Sequence, residues 1–213
     1  TALKQGAKNL NDGISILKMA DGALNEQSST LIRLREITAQ SATGTIGSVE
    51  RTSLQLEFSA LRSEFDRIAN TTEFNSRKLL DGSLAASSSD TTVLQLGLDS
   101  SDNNRFDLNQ KINLTAITSS ALGFSTDSIS TTTGAVTAMA SLTSAIDKLA
   151  TVRGRVGAAQ ETLDYSKAAL DSNVENLTGA ISTLRDADFA AEFASMTKNQ
   201  ILVQGAASMI GQA

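Results

Sequence analysis

Asp99 to Gln110 carries oxygen-bearing side chains at close intervals over twelve positions, the kind of run from which calcium ligands are drawn. The pattern fails where such a loop is most demanding. Its sixth position, where a glycine makes the sharp turn, holds Asn104, and its twelfth, where a bidentate glutamate closes the site, holds Gln110. A solvated hairpin turn is the better reading. Asp186 and Asp188 come nearest to an acid/base pair, but two residues apart on a helix they point to different faces. Asn70-Thr71-Thr72, Asn113-Leu114-Thr115 and Asn176-Leu177-Thr178 match the N-glycosylation acceptor pattern, although two of the three lie in or beside helical stretches. The sequence contains no His and no Cys, which removes structural zinc, a Ser-His-Asp triad and thiol chemistry. There is no glycine-rich phosphate loop and no metalloprotease helix motif. No residue set supports an enzyme, a metal or a cofactor, so function must lie in the elements themselves.

Those elements are long helices. Leu149, Val156, Leu163, Leu170, Leu177 and Leu184 recur at intervals of seven, with Ile146, Val174 and Ile181 at half-steps, as a helix-packing seam requires. Arg153, Gln160 and Lys167 occupy alternate seam positions, which predicts looser packing in the middle of this helix than at its end. Leu3, Ala7, Leu10, Ile14, Leu17, Leu24, Leu31 and Leu34 form a second stripe, and Leu54, Phe58, Leu61, Phe65 and Ile68 a third. Periodicity of this kind is first of all intramolecular packing, and the stripes at the two chain ends are expected to partner each other.

Composition agrees. Proline, the strongest helix breaker, is absent from all 213 residues. Net charge is −5 with acids and bases interspersed, and no basic cluster alternates with aromatics, which argues against nucleic acid. No apolar run is long enough to span a bilayer. With no Trp and Tyr165 as the single Tyr, an aromatic platform for sugar rings is poorly supplied.

Along the chain, residues 1 to about 43 read as one helix and Thr43 to Gly47 as a break. Ser48 is the expected N-cap of a second helix running to about Asn70, and Asp81-Gly82 a turn. From Ser83 to Gly134 the helical period is lost. Within it Thr92 to Leu98 and Arg105 to Asn109 alternate around the turn-forming Asp99 to Asn104, a β-hairpin pattern, and Ser125 to Thr133 reads as loop. Helix resumes at Ala135 and continues past residue 180, with a local adjustment expected near Gly154 and Gly157. The predicted fold is mainly α: an elongated antiparallel bundle of long helices from both chain ends with a small β-hairpin insert.

At the level of strings, the chain resembles bacterial flagellin, the subunit of the flagellar filament. The residues carrying the resemblance are Asn11-Asp12-Gly13-Ile14-Ser15-Ile16, Gly22-Ala23-Leu24-Asn25-Glu26, LIRLREITAQSATGT at 31 to 45 and Arg51-Thr52-Ser53-Leu54-Gln55-Leu56-Glu57. FDRIANTTEFNSRKLLDGS at 65 to 83, Arg185-Asp186-Ala187-Asp188-Phe189-Ala190 and MTKNQIL at 196 to 202 complete the set. The chain departs from the family's usual residues at Ile37, Phe189 and the stretch Val203-Gln204-Gly205.

The resemblance implies a core domain, D1, with its N-terminal helical part at 1–82, a hairpin and polar loop at 83–134 and its C-terminal helical part at 135–185. Residues 186–213 would begin the C-terminal inner-tube segment, D0, and the chain reads as a piece lacking most of the N-terminal one, expected to be monomeric. It further implies a homopolymer that serves motility outside the cell, secreted by the flagellar export apparatus with an export chaperone, and cap and junction proteins as partners. Membrane insertion is not expected. Arg33, Ile37 and Glu57 match the flagellin surface recognised by Toll-like receptor 5, which in the filament would be a subunit contact. The alternatives are a hook-filament junction protein and a homologue that binds polysaccharide or a host surface.

Overall fold

A computed structural model describes residues 2–97 and 101–212, except for the side chains of 103, 186–188, 190, 191 and 212. Leu98, Asp99 and Ser100 of the expected hairpin, and the side chains of Asp186 and Asp188, lie outside the described residues. The chain divides into two compact units, Thr1–Lys167 and Ala168–Ala213.

The first unit is built on α1 (Ala2–Ala42), α2 (Ser48–Thr71) and the opening part of α5 (Thr132–Gln212). The absence of proline and the seven-residue repeat allow such helices, and their apolar stripes bury them. Leu10, Leu17, Leu24, Leu31 and Leu34 of α1 are fully buried with Phe58 and Phe65 of α2 and Leu142, Val156 and Leu163 of α5. Arg33 meets Glu57, and Arg51 donates to the Ser41 carbonyl, so α1 and α2 run antiparallel. Asp21 meets Arg153 at 3.5 Å and Gly13 lies against Leu163, so α1 and α5 are antiparallel too. Buried Ala135, Ala138, Ala145 and Ala159 let α5 approach closely.

Between α2 and α5 the chain makes two antiparallel hairpins. One pairs β1 (Glu73–Phe74) with β2 (Arg77–Lys78); the other pairs β3 (Val93–Gln95) with β4 (Arg105–Asp107) in the register Leu94↔Phe106. The second follows the alternation in the sequence over a shorter span than expected, because Leu108 and Asn109 are helical. The first was not expected: its two-residue turn, Asn75 and Ser76, has φ of 50° and 64°, the left-handed pair that a tight hairpin turn demands.

Several expectations are corrected. Gly47, in extended conformation, stands at the N-cap of α2, and Ser48 is already its first helical residue. The segment read as free of helix contains α3 (Leu108–Ile112) and α4 (Ser119–Leu122). Both are held by caps rather than by periodicity. Gln110 N–H donates to Asp107 Oδ1 and Ala121 N–H to Thr118 Oγ1, while Asp66 of α2 accepts at 2.6 Å from both the N–H and the hydroxyl of Ser119. Helix α5 begins at Thr132 and runs unbroken through Gly154 and Gly157. Its middle is also the tightly packed part, contrary to expectation. Leu149, Val152, Val156, Ala159 and Leu163 are all buried, so the second seam position is three residues on from each heptad leucine, at Val152 and Ala159, and not at Arg153 and Gln160.

A buried polar side chain also ties distant parts of the fold together. Gln27, fully buried, donates from Nε2 to the carbonyls of Phe65 and Ile117, tying α1 to α2 and to the segment before α4. Phe65 meets Phe124 edge-on, ring centroids 5.3 Å apart. Residues 168–212 are helical throughout the second unit, whose apolar side chains are described below.

Candidate functional site

Among the described residues no enclosed reaction centre is built. Among the described residues no group of three or more His, Cys, Asp or Glu could hold a metal ion, and no helix is long and apolar enough to cross a membrane. In the calcium-like stretch, Asp107 is engaged in capping α3, and Asp99 is not described. Of the three acceptor asparagines, Asn113 lends Oδ1 to the Ala86 N–H, while Asn70 and Asn176 stand exposed on α2 and α5. The functional features are surfaces, and three can be set out.

The first joins α1 to α2. Arg33 donates from Nη2 at 2.7 Å and from Nε at 3.0 Å to Glu57 Oε1, and from Nη1 at 3.2 Å to Glu36 Oε2. The hydrogen bonds that Arg33 donates to Glu57 and then to Glu36 push its guanidinium above its ordinary value, so it stays charged at any physiological pH. All three side chains are exposed, with 52% of Arg33 and 40% of Glu57 open to solvent. Ile37 does not share that exposure: at 1% it belongs to the core, which corrects its expected place on one surface with Arg33 and Glu57. The buried edge of α1 here runs Leu34, Ile37, Thr38, Ser41.

The second surface lies on the second unit. The heptad residues divide there: Leu149, Val156 and Leu163 are buried in the first unit, Leu170 is half-buried, and Leu177 and Leu184 are 52% and 70% exposed. The same holds for Ile181, Phe189, Phe193, Ile201 and Ile210, all more than half exposed. Burying each such residue against a partner would gain about 1.5–3 kcal/mol, which gives this face the composition of an association surface.

The third was missed in the sequence. Val49 and Leu56 of α2 are 73% and 69% exposed on one face. A signal existed: they stand seven apart and out of phase with the stripe at Leu54, Phe58, Leu61, Phe65 and Ile68.

Residues 1–85 match the family model described as bacterial flagellin N-terminal helical region, and residues 139–213 the one described as bacterial flagellin C-terminal helical region. A flagellin of Halalkalibacterium halodurans is 36% identical over 211 residues, covering 99% of this chain and 74% of the relative. The flagellar filament 30.7 kDa core protein of Treponema maltophilum is 33% identical, covering 99% of this chain and 75% of that protein. Among solved structures, Bacillus cereus flagellin superposes with a TM-score of 0.64 at 28% identity, covering 82% of this chain and 94% of that one.

Proposed function

The chain belongs to the bacterial flagellin family, and from that premise we propose how its surfaces divide the work of a filament subunit. It is a structural subunit of the bacterial flagellar filament, polymerising with other flagellin subunits outside the cell for motility.

Polymerisation is driven by the apolar face that begins near Leu177 and reaches Ile210. The observation that carries this is their exposure on a helix whose earlier heptad positions, Leu149, Val156 and Leu163, are fully covered. One seam thus serves two purposes, intramolecular packing first and intersubunit burial after. The boundary between core and inner-tube parts is placed near residue 186, supported by the string Arg185-Asp186-Ala187-Asp188-Phe189-Ala190. Residues 1–82, 83–134 and 135–185 then form the core domain, and 186–213 the start of the inner-tube segment.

A subunit that carries this apolar helix through the cell before assembly needs it masked, which supports an export chaperone bound to it, secretion by the flagellar export apparatus, and cap and junction proteins at the filament ends. Arg33 and Glu57 form the exposed part of a surface for Toll-like receptor 5, with Ile37 supporting it from within. In the filament this face becomes a subunit contact.

Negative-stain electron microscopy of the full-length protein, beside a version ending at Lys167, tests the driving role of the apolar face. Filaments from the first and none from the second are expected. Filaments from the truncated protein at the same concentration would move the driving contact into the first unit.

A further inference from the structure

We propose that the cleft between α5 and the segment before and through α4 receives the Glu161 and Asp164 flank of α5 from a second copy of this chain, a proposal that rests on the filament reading above. The cleft, about 530 Å³, is floored by Ile117, Leu122 and Val152 and rimmed by Lys148, Thr151 and Arg155. Its floor is buried and its rim exposed.

The cleft also carries two cations without a carboxylate partner among the described residues. Arg33, Arg67, Arg77 and Arg153 each meet a carboxylate of their own chain. Lys148 has only a neutral acceptor, the Leu122 carbonyl at 3.4 Å, and among the described residues nothing pairs with Arg155. Two uncompensated cations thus stand over an apolar floor on a chain of net charge −5, and a low-dielectric wall concentrates their field on whatever enters.

The complementary surface is on the same helix. Glu161 and Asp164 are exposed, and among the described residues neither meets a cation. At about 100° per residue, Lys148 and Arg155 fall roughly 20° apart, whereas Asp164 falls about 160–180° and Glu161 about 120–140° from them. Unpaired cations and unpaired carboxylates therefore occupy opposite flanks of one helix, displaced along it by roughly 15 Å.

A second copy lying alongside in the same direction brings unlike flanks together. Such a contact is heterologous: it leaves a basic cleft free on one side and an acidic flank free on the other, so it propagates instead of closing. A two-fold arrangement would set cation against cation at the same cleft, and like charges in an interface are strongly disfavoured. The contact sets the register of neighbours whose association the apolar helix drives.

The test uses the full-length subunit and two charge-reversed forms, K148E/R155E and E161K/D164K, all checked for unchanged helix content by circular dichroism. Each reversed form alone is expected to raise the critical concentration for polymerisation about tenfold or more. An equimolar mixture should restore polymerisation, because each copy then offers its neighbour an opposite charge. Either reversed form polymerising at the wild-type critical concentration overturns the proposal, and so does a mixture that stays as poor as its components. A wild-type subunit that does not polymerise under the same conditions instead removes the filament reading itself.

Discussion

Leu94 places Cδ1 where a Cβ on Gly13 would stand, so the β3–β4 hairpin is seated on bare backbone of α1. Leu163 of α5 closes the same spot from the other side, 3.3 Å from that position. The Asn9 side chain adds a hydrogen bond of 2.9 Å to the Gln95 carbonyl, one turn before Gly13. Here a glycine in mid-helix is required by what rests on it.

Gly13→Ala is expected to lower stability even though alanine favours a helix by up to about 1 kcal/mol, because overpacking typically costs about 1–3 kcal/mol. Gly154 and Gly157 of α5 have open space where a Cβ would go. Alanine at either should stabilise the isolated subunit by up to about 1 kcal/mol. Urea midpoints of the three variants check the contrast, and a stabilised Gly13→Ala would show that Leu94 swings aside freely.

Gln27 offers a second test of the bundle. Its amide nitrogen holds two carbonyls from different parts of the fold, at 3.1 and 3.0 Å, and its Oε1 is buried without a partner. Gln27→Ala should cost about 2–4 kcal/mol through a cavity and two lost hydrogen bonds. Gln27→Glu should cost more at neutral pH, since it aims a buried charge at two carbonyl oxygens. Burial raises that carboxyl's folded pKa above its unfolded one, so this variant should recover stability as pH falls. Chemical denaturation at two pH values decides it; equal losses at both would mean the side chain has moved out to water.

On the outer face of α2, Arg67 donates to both oxygens of Glu64, at 2.7 and 2.5 Å. These hydrogen bonds hold the Glu64 carboxyl below its ordinary value of 4.5 and push Arg67 up, so the cation persists throughout. The native state then binds fewer protons than the unfolded chain between the depressed and the ordinary value. The stabilisation is complete above the ordinary value and is lost as pH falls through the depressed one. Carboxyl titration by nuclear magnetic resonance should find Glu64 below the ordinary range, and Glu64→Gln should flatten this part of the acid limb. A carboxyl titrating at or above 4.5 would break the link between the observed geometry and stability.

Arg33→Ala with Glu57→Ala should leave helix content unchanged, because both side chains face solvent. The double variant is expected to lose activation of cells carrying Toll-like receptor 5. Ile37→Ala should behave differently, losing about 2–5 kcal/mol of stability because it empties a core position. Full signalling by a folded double variant would discard the receptor surface.

Much of this protein was legible in its residues alone. Long apolar stripes at helical spacing in a chain without proline strongly favour helix, so α1, α2 and α5 could be read directly, as could the alternation around 93–95 and 105–107. Family membership could be read as well, since long strings preserve order. What periodicity could not settle is where a stripe stops being covered. Leu163 and Leu184 occupy equivalent heptad positions, yet one is fully buried and the other 70% exposed, because coverage depends on which neighbour lies opposite. Arg33 and Ile37 diverge in the same way: four residues apart on a helix, one is exposed beside Glu57 and the other is 1% exposed in the core. The short helices α3 and α4 were invisible because too few residues carry a period, and their ends are tied by Asp107, Thr118 and the distant Asp66. Local pattern determines which elements form and which side of each is apolar, while burial and capping are properties of pairs of elements, which only the tertiary structure brings together.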